Sequence, residues 1–216
     1  MSIRAKICGI TTPESLDAAI LGGADYVGFV FFAKSPRNVD IDLAKALAAR
    51  ARGQVKIVAL TVNADDGALK EIVDRVAPDI LQLHGDEPPE RVAEIKRKFA
   101  RTVIKAIPVA TAGDARKAEE YVDVADLILF DAKTPPGADS PGGNGQTFDW
   151  AVLEGISAGT PFMLSGGLTP ENVAAAIAQT RPVAVDVSSG VEMTPGVKDP
   201  ERIRRFLQAA KPAKQS

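Results

Sequence analysis

Along the whole chain, a short apolar, β-branched run is followed by a segment with helical spacing, and this alternation constrains the fold more than any other feature. Strands alternating with helices are the pattern of βα units built on a parallel sheet. Eight such runs occur, at 3–8, 26–32, 57–62, 80–83, 103–107, 127–131, 162–164 and 183–187. Spread over 216 residues, the units average about 27 residues, room for a strand, a helix and two short loops. One domain with few insertions is expected.

The intervening segments carry helix signals. Leu69, Ile72, Val73 and Val76 fall at i, i+3, i+4 and i+7, one apolar stripe for the sheet. Ile203, Phe206 and Leu207 repeat the pattern in the last unit. Thr-Pro-Glu occurs at 12–14 and again at 169–171, and both read as helix starts: a hydroxyl cap, a proline in the first turn and an acid at the positive helix end. Eight strands could form an open sheet or a closed barrel. No strand is followed by G-x-G-x-x-G, and the glycine clusters come late, at 165–167 and 188–190, where barrels bind phosphate after strands seven and eight. The expected fold is therefore α/β, a single-domain (β/α)8 TIM barrel over 1–210, with a frayed C-terminal tail at 211–216. The Pro/Gly-rich stretch 134–147 is either a plain connector or a loop that closes over substrate.

Charge and cysteine usage exclude several classes. With 26 basic and 28 acidic residues, the net charge of −2 offers no broad attraction for nucleic acid or an anionic membrane. No apolar stretch has membrane-spanning length and no signal-peptide pattern opens the chain, so a cytoplasmic protein is expected. Cys8 and His84 are the single cysteine and histidine, which rules out an internal disulfide and a Cys/His zinc cluster but not a carboxylate-rich metal site. No long apolar surface stripe is evident, and the chain is read as a monomer.

Strand parity points to candidate chemistry, because side chains alternate between helices and lumen. In the first run Ile3, Ala5 and Ile7 face the helices, leaving Lys6 and Cys8 for the lumen. Asp131, ending run six, projects into the same mouth. Cys8 is either a small buried hydrophobe or a thiol whose ionised form the neighbouring Lys6 favours. Asp131 either caps a helix or acts in the mouth, and the Pro/Gly-rich loop that follows weakens the cap. His84 and Gln82 share a parity; His84 either reaches the lumen or bonds to a loop. Gly166 and Gly167 with Ser188, Ser189 and Gly190 form either plain turns or an anion cradle of backbone amides and hydroxyls. Asp186 faces inward, to meet a sugar hydroxyl or orient the loop.

Several segments together resemble the phosphoribosylanthranilate isomerase family along almost the whole chain: KICGIT at 6–11, FVFFAKSPR at 29–37, LQLHG at 81–85, FDAK at 130–133, PGGNGQTFDW at 141–150, SGGL at 165–168 and DVSSGVE at 186–192. The resemblance implies a (β/α)8 barrel that performs an Amadori rearrangement on a small phosphoribosyl substrate in tryptophan biosynthesis, without cofactor. It implies Asp131 as general acid, Cys8 as general base and Arg37 as anchor for the anthranilate carboxylate. His84 and Asp186 are the further substrate contacts, and Gly166, Gly167, Ser188, Ser189 and Gly190 hold the phosphate. The alternatives are a phosphoribosyl isomerase of the histidine pathway, which resembles this chain in its phosphate loops but uses paired aspartates where Cys8 stands, and a non-catalytic phosphosugar-binding barrel.

Overall fold

The computed structural model describes residues 3–134, 142–143, 145, 147–154 and 160–211. Eight parallel strands close in sequence order: β1 Arg4–Cys8, β2 Tyr26–Phe31, β3 Lys56–Thr61, β4 Ile80–Leu83, β5 Thr102–Val109, β6 Leu127–Ala132, β7 Phe162–Leu164 and β8 Ala184–Val187. β8 pairs back onto β1 with Lys6 opposite Asp186, so the first and last strands form the closing seam. Around them run α1 Pro13–Leu21, α2 Ile41–Ala51, α3 Asp66–Val76, α4 Pro89–Phe99, α5 Ala112–Arg116, α6 Val173–Thr180 and α7 Pro200–Ala210. Among the described residues, none of these helices is long and apolar enough to cross a membrane.

Side-chain oxygens start the helices: Thr12 caps α1 by accepting from Ser15, Asp40 caps α2 from Leu43, and Asp65 caps α3 from Ala68. The expected stripe on α3 buries Leu69, Ile72 and Val76, and that on α7 buries Ile203, Phe206 and Leu207. At the N-terminal rim, Asp25, Asp79 and Asp126 accept from the backbone N–H groups of Ala5, Ile57 and Val103 at 2.7, 2.8 and 2.8 Å. Each aspartate precedes an even-numbered strand and ties it to the odd-numbered strand before it.

Three expectations are corrected. The eighth helix is missing among the described residues, where a single 3-10 turn, Trp150–Leu153, stands between β6 and β7. The second Thr-Pro-Glu does not begin a helix: α6 starts only at Val173, and Thr169 instead closes a turn by accepting from Glu171 while Asn172 accepts from the Thr169 amide. After β8 comes an unanticipated antiparallel hairpin, β9 Glu192–Thr194 and β10 Val197–Lys198. Lys211, placed in the tail, is tied to the barrel by its ammonium on Gly23 and Asp25; 212–216 lie outside the described residues.

The lumen is layered. Tyr26, Val58, Ile80, Ile104, Leu129, Met163 and Ala184 fill the lower end with apolar side chains. Above them lie the buried polar residues Lys6, Gln82 and Asp186, and then Cys8, packed with Val30 and Leu60. Two loops lock together at the top: a Cβ on Gly190, after β8, would sit 1.9 Å from the carbonyl oxygen of Leu168, after β7. Since that neighbour is backbone, Gly190→Ala should force the loops apart and cost about 1–3 kcal/mol of stability. Thermal unfolding at the parental midpoint would show that the two loops do not depend on this contact.

Candidate active site

The C-terminal ends of the strands open into a cleft, at the end of the barrel where sites of this fold lie. Of the residues singled out from sequence, Cys8, Arg37, His84, Asp131, Asp186 and Ser188 all line it, joined by Ser165. Gly166 and Gly167 follow β7, and the 3-10 turn Ser189–Val191 follows β8, as the loop positions required.

Cys8 is 4% exposed at the end of β1. Gly28 on β2 makes room for it, because a Cβ there would lie 3.0 Å from the sulfur and 3.2 Å from Lys6 Nζ. Lys6 is fully buried and donates to Asp186 Oδ1 at 3.0 Å. Burial works against the Lys6 ammonium, but the combined pull of Asp186 and Cys8 wins and holds its pKa above the ordinary lysine value. For Cys8 the balance goes the other way. Burial pushes the thiol above the ordinary cysteine value, and Lys6 opposes this without cancelling it. The expectation that Lys6 favours the thiolate is right about the sign of that one interaction and wrong about the net result, since desolvation of the sulfur outweighs it.

Asp131 sits across the mouth on β6. Its Oδ1 accepts from the Ala132 amide at 2.9 Å, and its Oδ2 lies 3.2 Å from His84 Nε2. His84 follows β4, and its Nδ1 lies 3.0 Å from the amide nitrogen of Gln82. Between the two alternatives left open for His84, the structure chooses the lumen: the ring's partners are the general-acid candidate and a buried strand residue, not a loop.

Arg37 is drawn into the cleft wall by Glu192, with Nε and Nη2 each donating to the carboxylate at 2.8 Å, and Nη2 also donates to Gly143 at 3.1 Å. Glu192 in turn accepts from Lys198 Nζ at 2.5 Å, and Lys198 donates to the carbonyl and hydroxyl of Ser188. Burial raises the Glu192 carboxyl, yet Arg37 and Lys198 together hold it below its ordinary value. Burial lowers Lys198, with Glu192 resisting. Sequence reasoning missed Glu192 as a partner of Arg37, missed Lys198 entirely, and gave Gln82 and Gly28 no role; a glycine inside an apolar strand run was the available signal for Gly28.

The two glycines after β7 stand in backbone conformations that side chains rarely adopt. Gly166 and Gly167 have φ of +87° and +61°, and a Cβ on Gly166 would meet the Ala132 amide nitrogen at 2.5 Å, so only glycine fits. Among the described residues, the amides of Gly166 and Gly167 donate to no protein acceptor. Ser188 is more committed, donating its hydroxyl to the Cys8 carbonyl at 3.1 Å. Of the Pro/Gly-rich stretch 134–147, Gly142 and Gly143 line the cleft beside Asp131 and Arg37; 135–141, 144 and 146 lie outside the described residues.

The family model for N-(5'phosphoribosyl)anthranilate (PRA) isomerase matches residues 5–209. An N-(5'-phosphoribosyl)anthranilate isomerase of Rhodopseudomonas palustris (strain BisA53) is 56% identical over 211 residues, covering 98% of this chain and 97% of the relative. A solved phosphoribosyl anthranilate isomerase, in complex with reduced 1-(o-carboxyphenylamino)-1-deoxyribulose 5-phosphate, superposes with a TM-score of 0.85 at 36% identity over 96% of this chain and 98% of that one. Monomers generated from the dimeric enzyme of Thermotoga maritima superpose at 0.82, with 38% identity and the same coverage.

Cys8 is the single cysteine, so the difference in alkaline ultraviolet titration between the parent and Cys8→Ser, which cancels the tyrosinate absorbance, reports its thiolate. In the ligand-free protein the thiolate should appear only above the pH at which a free cysteine ionises, because burial disfavours the charged form. In Lys6→Met it should appear at higher pH still. A thiolate that forms more readily in Lys6→Met than in the parent would contradict the electrostatic role of Lys6.

Proposed function

Since the chain belongs to the N-(5'-phosphoribosyl)anthranilate isomerase family, we propose that Asp131 and Cys8 are the general acid and general base with which it carries out that family's reaction. It is an isomerase of tryptophan biosynthesis acting on a small molecule, converting N-(5-phosphoribosyl)anthranilate to 1-(2-carboxyphenylamino)-1-deoxyribulose 5-phosphate. The observation that carries the assignment is that Cys8 on β1 and Asp131 on β6, remote in sequence, line one cleft from opposite walls.

Asp131 gives its proton to the furanose ring oxygen. The C1–O bond breaks with its electron pair going to that oxygen, while the amine lone pair forms the C1=N bond. The carboxylate left behind accepts from the Ala132 N–H and lies 3.2 Å from His84 Nε2. The Cys8 thiolate then removes the C2 proton, and the C–H electrons flow toward the cationic nitrogen to give the enolamine. Tautomerisation to the ketone places a proton on C1, so the proton count is unchanged. A thiol raised by burial yields the stronger base once ionised, and Lys6 keeps that thiolate attainable. Proton transfers drive the C1–O cleavage and the enolisation, and this reading calls for neither cofactor nor metal.

Arg37 receives the anthranilate carboxylate with the part of its guanidinium that Glu192 leaves over, chiefly Nη1. His84 and Asp186 contact the sugar, and the phosphate rests on Gly166, Gly167, Ser188, Ser189 and Gly190, a glycine-and-serine cradle of backbone amides. The chain works as one domain over 1–210 in the cytoplasm, with no nucleic-acid or membrane partner.

Loss of substrate fluorescence gives steady-state constants for variants of each group. Cys8→Ser and Asp131→Asn should lower kcat by roughly 10²- to 10⁴-fold with little change in unfolding temperature. Arg37→Ala should raise KM sharply, and Arg37→Lys should restore only part, because an ammonium lacks the planar fork. Near-parental turnover in Cys8→Ser sinks the base, the same result in Asp131→Asn sinks the acid, and an unmoved KM in Arg37→Ala sinks the anchor.

The chain is also proposed to be a monomer, in contrast to the dimeric relative from Thermotoga maritima. Support comes from the exposed large apolar residues among those described: Leu21 and Leu43 lie on separate helices, Val122 lies between α5 and β6, and only Met193 and Val197, on β9 and β10, share a hairpin. Sedimentation equilibrium should fit one 22.7 kDa species across concentration; a concentration-dependent dimer would refute it.

A further inference from the structure

Gln82 is fully buried on the lumen side of β4, two residues before His84. Its amide nitrogen lies 3.0 Å from His84 Nδ1, and its amide oxygen is buried without a hydrogen-bond partner. An apolar side chain would fill this layer without that penalty. The other ring nitrogen, Nε2, lies 3.2 Å from Asp131 Oδ2. A neutral imidazole carries one hydrogen, so the two contacts are coupled. With Gln82 donating, Nδ1 must present its lone pair, and the hydrogen stands on Nε2, aimed at the Asp131 carboxylate. The reversed amide would put its oxygen on Nδ1 and leave both N–H bonds without an acceptor, where now one N–H and the oxygen lack partners. It would also leave Nε2 facing an ionised Asp131 lone pair to lone pair.

A further proton arriving at this pair has two possible seats, Nδ1 and the carboxylate. Protonating Nδ1 would set its N–H against the N–H of Gln82 at 3.0 Å. We propose that Gln82 is a positioning residue that bars His84 from becoming an imidazolium and thereby reserves for Asp131 the proton the reaction needs. This rests on the reading of Asp131 as general acid. The other titratable groups that face the imidazole are Cys8 on β1, Asp186 on β8, Arg37 beyond β2 and Asp86 just after His84. Lys105, on the neighbouring β5, is committed to Glu87 and the Gly85 carbonyl. Gln82 is therefore the group that meets Nδ1.

His84 is the single histidine, so its ring nitrogens are assigned without ambiguity in a long-range proton–nitrogen correlation spectrum of the ¹⁵N-labelled protein. At neutral pH the parent should show the hydrogen on Nε2 and a bare Nδ1. In Gln82→Met, which keeps length and loses the amide, a hydrogen should appear on Nδ1 and kcat should fall roughly 10- to 100-fold, less than loss of a whole acid. KM should move by less than about threefold, since the interaction acts in the transition state rather than on ground-state binding. Gln82→Glu, whose carboxylate accepts from Nδ1–H, should show the imidazolium and a larger loss. A parent spectrum with hydrogen on Nδ1 overturns the proposal without any variant. So does a Gln82→Met protein that loses turnover with the parental tautomer intact, which is the mark of a packing role. Near-parental turnover in Asp131→Asn is a separate failure, that of the acid itself, and is told apart because the parent tautomer spectrum is independent of it.

Discussion

The ion pair between Lys6 and Asp186 is the interaction on which the rest of the molecule depends. The two residues are register partners across the β1–β8 seam, so the contact that closes the barrel is also a pair of opposite charges sealed from water. Such a pair gives little net stability compared with well-packed apolar residues, yet removing one partner costs about 3–5 kcal/mol. Its presence is explained by what lies above it. Lys6 puts a cation beside the Cys8 sulfur, Asp186 lets that cation exist in the interior, and Gly28 leaves the space that both Lys6 and Cys8 occupy. Barrel closure and the environment of the thiol are one arrangement of atoms.

A second chain of charges organises the rim. Arg37 reaches from beyond β2 to Glu192 on the β9–β10 hairpin, and Lys198 on the same hairpin reaches back to Ser188 after β8. Loops from both sides of the seam are thus held by one carboxylate that accepts from two cations. Glu192 orients the Arg37 guanidinium and fixes which of its edges is spent and which remains. Across the cleft, Gln82, His84 and Asp131 stand in a row of side-chain contacts at 3.0 and 3.2 Å.

The barrel was legible because its signal is local and repeated: each strand announces itself by a β-branched run, and parity alone sends Cys8, His84, Asp131 and Asp186 inward. Signals that depend on partners far along the chain were not legible. Nothing near Arg37 announces Glu192, 155 residues away, and nothing in the hairpin sequence marks Lys198 as a buried cation. The second Thr-Pro-Glu misled because the same tripeptide can cap a helix or close a turn, and Asn172 decides between them. The Cys8 environment was half legible: a neighbouring lysine can be read from spacing, whereas the desolvation that outweighs it is a property of the packed lumen.

The seam also sets a clock. Lys6 and Asp186 are 180 residues apart, and at a synthesis rate of about 5–20 residues per second the lysine is made roughly 9–36 s before the aspartate. During that interval the lower strands can pair and the rim aspartates can tie them in twos, but no arrangement of the nascent chain offers Lys6 its register partner. A partly made barrel therefore has reason to keep β1 at a wet, unclosed edge until β8 arrives. The thiol gains its enclosed setting only when the last strand docks, together with the loop that holds Ser188.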